Sequence, residues 1–152
     1  MNATKTVLVT GSNGYIGSLL TPLLKQAGYK VVGLDIGYFD DPACEFKSGE
    51  KPDTFIQKDI RDIEEKDLSG VDAVIHLAAL SNDPIGALNP RLTMEINLEA
   101  SKKMALIAKK SGVKRFIFSS SCSVYGAIGD KDVTETDTPD PRTAYAVSKV
   151  EF

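Results

Sequence analysis

Two hydrophobic periods alternate along the chain: short apolar runs of strand length, and longer stretches with apolar positions three or four apart. Residues 6–9 form a β-branched run that reads as a buried strand. Ile16, Leu19, Leu20, Leu23, Leu24 and Ala27 then recur at helical spacing and make one apolar stripe, closed by Gly28. Pro22 falls inside this helix and removes its hydrogen bond to Ser18, so a kink is expected there. A second strand over residues 30–34 ends in Asp35. Residues 36–53, rich in Gly, Pro and Asp, read as a loop. A third strand is expected over 54–58, a short helix over 63–68, and a fourth strand over 72–77, apolar enough for the middle of a parallel sheet. Residues 81–90 read as a turn-rich loop. Residues 91–110 read as one long helix with Leu92, Ile96, Ala100, Met104 and Ile107 inward and Gly112 past its end, and residues 114–119 as a fifth strand. The repeated βαβ alternation predicts an α/β fold: a Rossmann-type doubly wound parallel sheet of about five strands, in the order 3-2-1-4-5, with helices on both faces.

Composition narrows the function. At 152 residues the chain has the length of one domain, and one compact unit is expected. The formal charge of -3 is spread without a run of five like charges or a basic cluster interleaved with aromatics, which argues against a nucleic-acid partner. Cys44 and Cys122 are far apart without metal-ligand spacing, and His76 is alone, so no metal site is expected and a reducing compartment fits. No apolar stretch approaches the roughly 18 residues of a membrane span, and the amino terminus carries no signal-peptide pattern. A cytoplasmic protein without a membrane partner is the expectation.

Chemistry enters at the junction of the first strand and first helix. Gly11, Gly14 and Gly17 follow the strand at three-residue spacing. The first allows a tight turn, the second lets a pyrophosphate approach the backbone, and the third lets the helix pack close to the strand. The amides of Asn13, Gly14, Tyr15 and Ile16 would then face an anion at the positive end of the helix dipole. Glycines also mark ordinary turns, but here a strand precedes and a helix follows. Asp35 stands at the end of strand two, placed to take the adenosine ribose hydroxyls. Dinucleotide binding is the reading.

The later candidates each have a plainer alternative. Asp59 could accept from an adenine amine with Ile60 against the ring, or it could simply cap the next helix. Leu77, Ala78 and Ala79 follow strand four with side chains small enough for a cofactor to pass near the backbone. Asn97 lies one position off its helix stripe, as a partly buried amide satisfied by backbone would. Tyr145 and Lys149 are one helical turn apart, either a surface pair or a base with its activator. A tyrosine's ordinary pKa of about 10 makes it a poor base at neutral pH, and bringing it down by about three units takes roughly 4 kcal/mol, which a lysine cation and a nicotinamide cation can share. Ser121 could share a substrate proton with Tyr145 or cap a turn.

Taken as an ordered set, Thr10-Gly11-x-x-Gly14-x-x-Gly17, Asp35, Asp59-Ile60, His76-Leu77-Ala78-Ala79, Asn97, Ser119-Ser120-Ser121-x-x-Val124-Tyr125-Gly126 and Tyr145-x-x-x-Lys149 resembles the extended short-chain dehydrogenase/reductases. Within them it is most similar to the NAD-dependent epimerase/dehydratase family acting on nucleotide sugars. The resemblance implies Tyr145 as base, Lys149 on the nicotinamide ribose, and Ser121 as hydroxyl partner. It puts Asp35 on the adenosine ribose, Asp59 and Ile60 on the adenine, Leu77 to Ala79 along the cofactor's middle, and Asn97 near the proton path. A sugar hydroxyl would be oxidised by hydride transfer to NAD and the hydride later returned. NAD is favoured over NADP because Asp35 would repel a 2′-phosphate and no arginine follows it.

Cys122-Ser123 stand where the family's 4,6-dehydratases carry Asp-Glu, which favours an epimerase. Family chains continue beyond the position of Phe152 into a domain that holds the sugar nucleotide. This chain therefore reads as an amino-terminal portion that keeps a cofactor half-site, binds NAD weakly and turns nothing over. A helix of about ten residues is marginal alone, so fraying is expected at Tyr145 and Lys149. Family dimers use the helix ending near Lys110 and the helix cut at Phe152, so a homodimer is one candidate state and the oligomeric state is left open. The competing readings are a superfamily reductase of a non-sugar carbonyl, using NADPH, and a non-catalytic NAD-sensing or interaction module.

Overall fold

The computed structural model of the chain describes residues 4–38, 50–81, 83–126 and 132–152. The loop expected at 36–53 is described only at its two ends, and Cys44 lies outside the described residues. The elements in order are β1 (Thr6–Thr10), α1 (Tyr15–Gln26), β2 (Lys30–Asp35), β3 (Thr54–Gln57), β4 (Ala73–His76), α2 (Asp83–Leu88), α3 (Pro90–Met94), α4 (Ala100–Lys110), β5 (Arg115–Phe118) and α5 (Ala144–Val150). Single 3₁₀ turns occupy Ile60–Asp62, Glu65–Leu68 and Cys122–Tyr125, and a π turn occupies Glu95–Glu99. The chain groups into two compact units, residues 1–78 with 103–119, and residues 79–102 with 120–152.

The first unit contains the whole sheet. Its five strands are all parallel and lie in the order β3-β2-β1-β4-β5, the order expected. Val7, Val9 and Val31 form a core on which Leu20 and Leu24 of α1 pack, together with Ala73, Ile75 and Leu77.

Helix α1 differs from its predicted stripe. Leu20 and Leu24 turn inward with Gly17 and Thr21, whereas Ile16, Leu19, Leu23 and Ala27 are exposed. The cause is at Gly17, where an added Cβ would lie 2.7 Å from Ser12 Cα and closer still to the Gly11 carbonyl oxygen. A helix that close to the backbone must present its small residues inward. Pro22 leaves α1 as a single helix from Tyr15 to Gln26. The helix ends at Ala27, with Gly28 beyond it at φ +86, a left-handed position that favours glycine.

Two further expectations are corrected. The helix over 63–68 is replaced by the two 3₁₀ turns on either side of Ile63. Asp59 begins the first of them and Glu64 the second, through a reciprocal capping box with Asp67. The loop over 81–90 contains helix α2, because a proline in a helix's first turn removes only an N–H that has no intrahelical partner.

In the second unit the long helix expected over 91–110 begins at Pro90, capped by Asn89 Oδ1, which accepts from Leu92 N at 3.0 Å. It is interrupted by the π turn, whose wider turn adds a residue to the helical wheel and brings Asn97 and Leu98 onto the buried face. Helix α5 packs against α2, α3, the π turn and the Cys122–Tyr125 turn. Thr143 caps it, its hydroxyl accepting from Ala146 N at 3.1 Å. With that packing the helix is formed rather than frayed at Tyr145 and Lys149.

Candidate functional site

In the first unit, strand β1 runs into the glycine turn. Gly11 sits at φ +68, and its N–H donates to Leu34 O at 2.8 Å, tying the turn to β2. Gly14 is the N-cap of α1. It supplies no side-chain acceptor, and the first turn holds no acidic residue. The positive end of the helix dipole is therefore not offset by the protein's own carboxylates within that turn, the arrangement an anion site needs.

The four amides expected to face the anion do not behave alike. Asn13 N donates to Asp35 Oδ2 at 3.0 Å, and Gly14 N donates to Gly11 O at 3.1 Å. Tyr15 and Ile16 occupy the first two helical positions.

Asp35 is 8% exposed at the end of β2. One carboxylate oxygen accepts from Asn13 N and the other from Gly37 N at 2.9 Å. Each carboxylate oxygen has a second lone pair, so the group can hold the turn and still accept from hydroxyls. Asp59 takes the plainer of its two roles in this structure. It caps the turn after β3 by accepting from Arg61 N at 2.9 Å, and it pairs with the Arg61 guanidinium at 2.7 Å. That guanidinium holds the Asp59 carboxyl below its ordinary value. Ile60 is buried.

At the exit of β4, Leu77 N and Ala78 N both donate to Thr10 Oγ1, at 3.2 and 3.1 Å. A Cβ on Gly11 would lie 2.9 Å from Ala78 N. The β4 exit thus crosses directly over the glycine turn. Sequence reasoning assigned Thr10 no role, although a hydroxyl residue ending β1 immediately before Gly11 was the available signal.

The second unit holds Ala79, Asn97, Ser121, Tyr145 and Lys149. Asn97 is fully buried, and its amide grips one backbone position at both ends: Oδ1 accepts from Leu80 N at 2.8 Å and Nδ2 donates to Leu80 O at 3.0 Å. Ser121 caps the Cys122–Tyr125 turn. Its oxygen accepts from Ser123 N at 3.3 Å and from the Ser123 hydroxyl at 2.9 Å, which leaves its own proton to donate. On α5, Lys149 Nζ stands 5.6 Å from the centroid of the Tyr145 ring, within cation–π range. Burial brings the Lys149 pKa down to about 8, so about nine in ten molecules still carry the cation at pH 7. Cys122 is exposed with a free thiol, and no cluster of metal-ligating side chains occurs among the described residues. No helix among them is long and apolar enough to cross a membrane.

The chain is 37% identical over 133 residues to a UDP-glucose 4-epimerase of Klebsiella pneumoniae, covering 79% of this chain and 91% of that protein. It is 35% identical over 151 residues to a UDP-glucose 4-epimerase of Lactobacillus helveticus, covering 95% of this chain and 44% of that protein. Among solved structures it resembles the UDP-glucose 4-epimerase of Stenotrophomonas maltophila with bound NAD and formylated UDP-arabinopyranose. The TM-score is 0.85 at 32% identity, over 96% of this chain and 46% of that one. The chain thus spans about half the length of the solved relative and of the Lactobacillus protein. The model of the NAD dependent epimerase/dehydratase family matches residues 7–152, and the chain belongs to that family.

Proposed function

We propose that the chain is the cofactor-binding part of an NAD-dependent nucleotide-sugar epimerase, an enzyme that moves hydride between a sugar hydroxyl and NAD. One observation carries the reading. The start of α1 has neither a side-chain cap nor an acidic residue, it lies against a glycine turn that a Cβ would obstruct, and the Asp35 carboxylate closes the same turn. The relatives support it, since one of them was solved with NAD and a UDP-sugar.

The residues fit the cofactor in parts. Tyr15 and Ile16 amides receive the pyrophosphate. Asp35 accepts from the adenosine ribose hydroxyls and repels a 2′-phosphate, and Ile36, Gly37 and Tyr38 after it offer no cation to offset that repulsion. When bound, NAD supplies the hydride acceptor. Tyr145 takes the proton of the sugar hydroxyl as the carbonyl forms and gives it back on return. Ser121 donates its hydroxyl proton to the same sugar oxygen, and Lys149 holds the nicotinamide ribose. Cys122 and Ser123 offer no carboxyl pair for eliminating water, which supports epimerisation over dehydration.

Calorimetric titration of the chain with NAD and with NADP tests the reading. Heat is expected with NAD, with NADP at least about tenfold weaker because a phosphate dianion would meet the Asp35 carboxylate. No heat with either nucleotide at millimolar concentration, or a preference for NADP, would overturn it.

A further inference from the structure

The chain has one histidine. His76 is 1% exposed on β4 and has no part in the chemistry just described. Its Nδ1 lies 2.7 Å from Thr10 Oγ1, the same oxygen that accepts the amides of Leu77 and Ala78. A hydroxyl oxygen offers two lone pairs and one proton. Ala78 N takes one lone pair, and Leu77 N, which it shares with the Thr10 carbonyl oxygen at 3.2 Å, points at the other. The Thr10 proton is then what faces His76, with Nδ1 as its acceptor. We propose that His76 is held as the neutral imidazole protonated at Nε2, and that it is a positioning residue for the cofactor loop. By fixing the Thr10 rotor, it keeps that oxygen aimed at the amides of residues 77 and 78.

The other tautomer and the imidazolium both carry a proton on Nδ1. Either would bring a third donor to that oxygen and take away the acceptor for the Thr10 proton, and Leu77 N would fall back on the Thr10 carbonyl alone. The Phe116 and Phe118 rings of β5 lie beside the imidazole, with centroids 5.9 and 6.0 Å away, the second nearly stacked. They hold the ring plane that points Nδ1 at Thr10. The consequence is local: Ala78 N lies 2.9 Å from where a Gly11 Cβ would be, so a shift of the 77–78 segment is felt at the glycine turn. The cofactor consequence rests on the dinucleotide reading, whereas the tautomer does not.

A long-range proton–nitrogen correlation spectrum of histidine-labelled protein at neutral pH gives a single set of ring signals. The expected result is an unprotonated, pyridine-type Nδ1 and a protonated Nε2. A proton on Nδ1, in the neutral or the charged ring, would overturn the proposal, and this measurement needs no variant. Binding supplies the second readout. His76→Asn, whose Oδ1 can replace Nδ1 as acceptor, should keep NAD affinity within about threefold, and His76→Leu should lose about tenfold. Equal affinities for the two variants would refute the positioning role. An Nε2–H tautomer in a chain that binds no NAD would refute the dinucleotide reading and leave the Thr10–His76 lock standing.

Discussion

Lys149 is only 8% exposed, and burial brings its pKa from 10.5 to about 8. In the unfolded chain the ammonium returns to water and to its ordinary value. Between pH 8 and 10.5 the unfolded chain therefore binds more protons than the folded one, so the folded state gains stability as pH rises through that window. Below pH 8 the full penalty is present. At pH 7 it amounts to at most ~3 kcal/mol. Lys149→Met keeps the length of the side chain and removes the charge, together with a cation–π contact to Tyr145 that contributes about 0.5–2 kcal/mol. The variant should be more stable than the parent by ~1–3 kcal/mol at pH 7, and the difference should shift by ~2 kcal/mol in the parent's favour at pH 9.5. Urea denaturation at the two pH values measures it, since every other titration is common to both proteins and cancels. A variant that is less stable at pH 7, or a gap that does not change with pH, would refute the reasoning. A buried lysine kept at such a cost fits a residue held for chemistry rather than for stability.

Three further outcomes follow from the same geometry. Gly17→Ala places a Cβ against the Gly11 carbonyl, a backbone atom that cannot swing aside, and should cost ~3 kcal/mol; an unchanged thermal midpoint would contradict this. Asn97→Leu leaves both the N–H and the C=O of Leu80 without their side-chain partner. It should cost ~2–5 kcal/mol and speed hydrogen exchange at the Leu80 amide, and a Leu80 amide as protected as in the parent would show the clamp is elsewhere. Asp59, held below its unfolded value of 3.8 by Arg61, contributes stability above that value and loses it as pH falls through its lower folded value. The pair is partly exposed, so Asp59→Asn should cost no more than ~1 kcal/mol at pH 6. The difference should fade on acidification towards pH 2, and a pH-independent difference would argue against the pairing.

The strands were legible because a parallel strand is an apolar run of fixed length between turn residues, and all five appear within a residue or so of their expected ends. The helices were legible in place but not in facing. Counting apolar residues puts Leu19 and Leu23 inside α1, whereas the contact at Gly17 sets which side faces the sheet, and that contact is a tertiary fact. Asn97 was read as an amide satisfied by backbone, which it is at Leu80, but its full burial was not legible, because a straight α-helix leaves it off the stripe and the π turn moves it in. Residues 83–88 carried Asp, Pro and Gly, which signal a turn locally and are equally tolerated at a short helix. At the candidate site, spacing together with the strand–turn–helix context pointed to Gly11, Gly14, Gly17 and Asp35, whereas Tyr145 and Lys149 stood out through the family resemblance and not through their interval alone. Spacing did not expose the partners. The bonds from Asn13 to Asp35 and from Leu77 and Ala78 to Thr10 span 22, 67 and 68 positions, and only the folded chain brings those groups together.

The central claim is that the turn between β1 and α1, closed by Asp35, is where NAD is held. Amide chemical shifts followed by NMR as NAD is added test it most directly, because they report binding and place at once. The account predicts the largest changes at Tyr15, Ile16, Asn13 and Gly37, saturating together with one affinity. Saturable binding that leaves those four amides unmoved while others shift would contradict it.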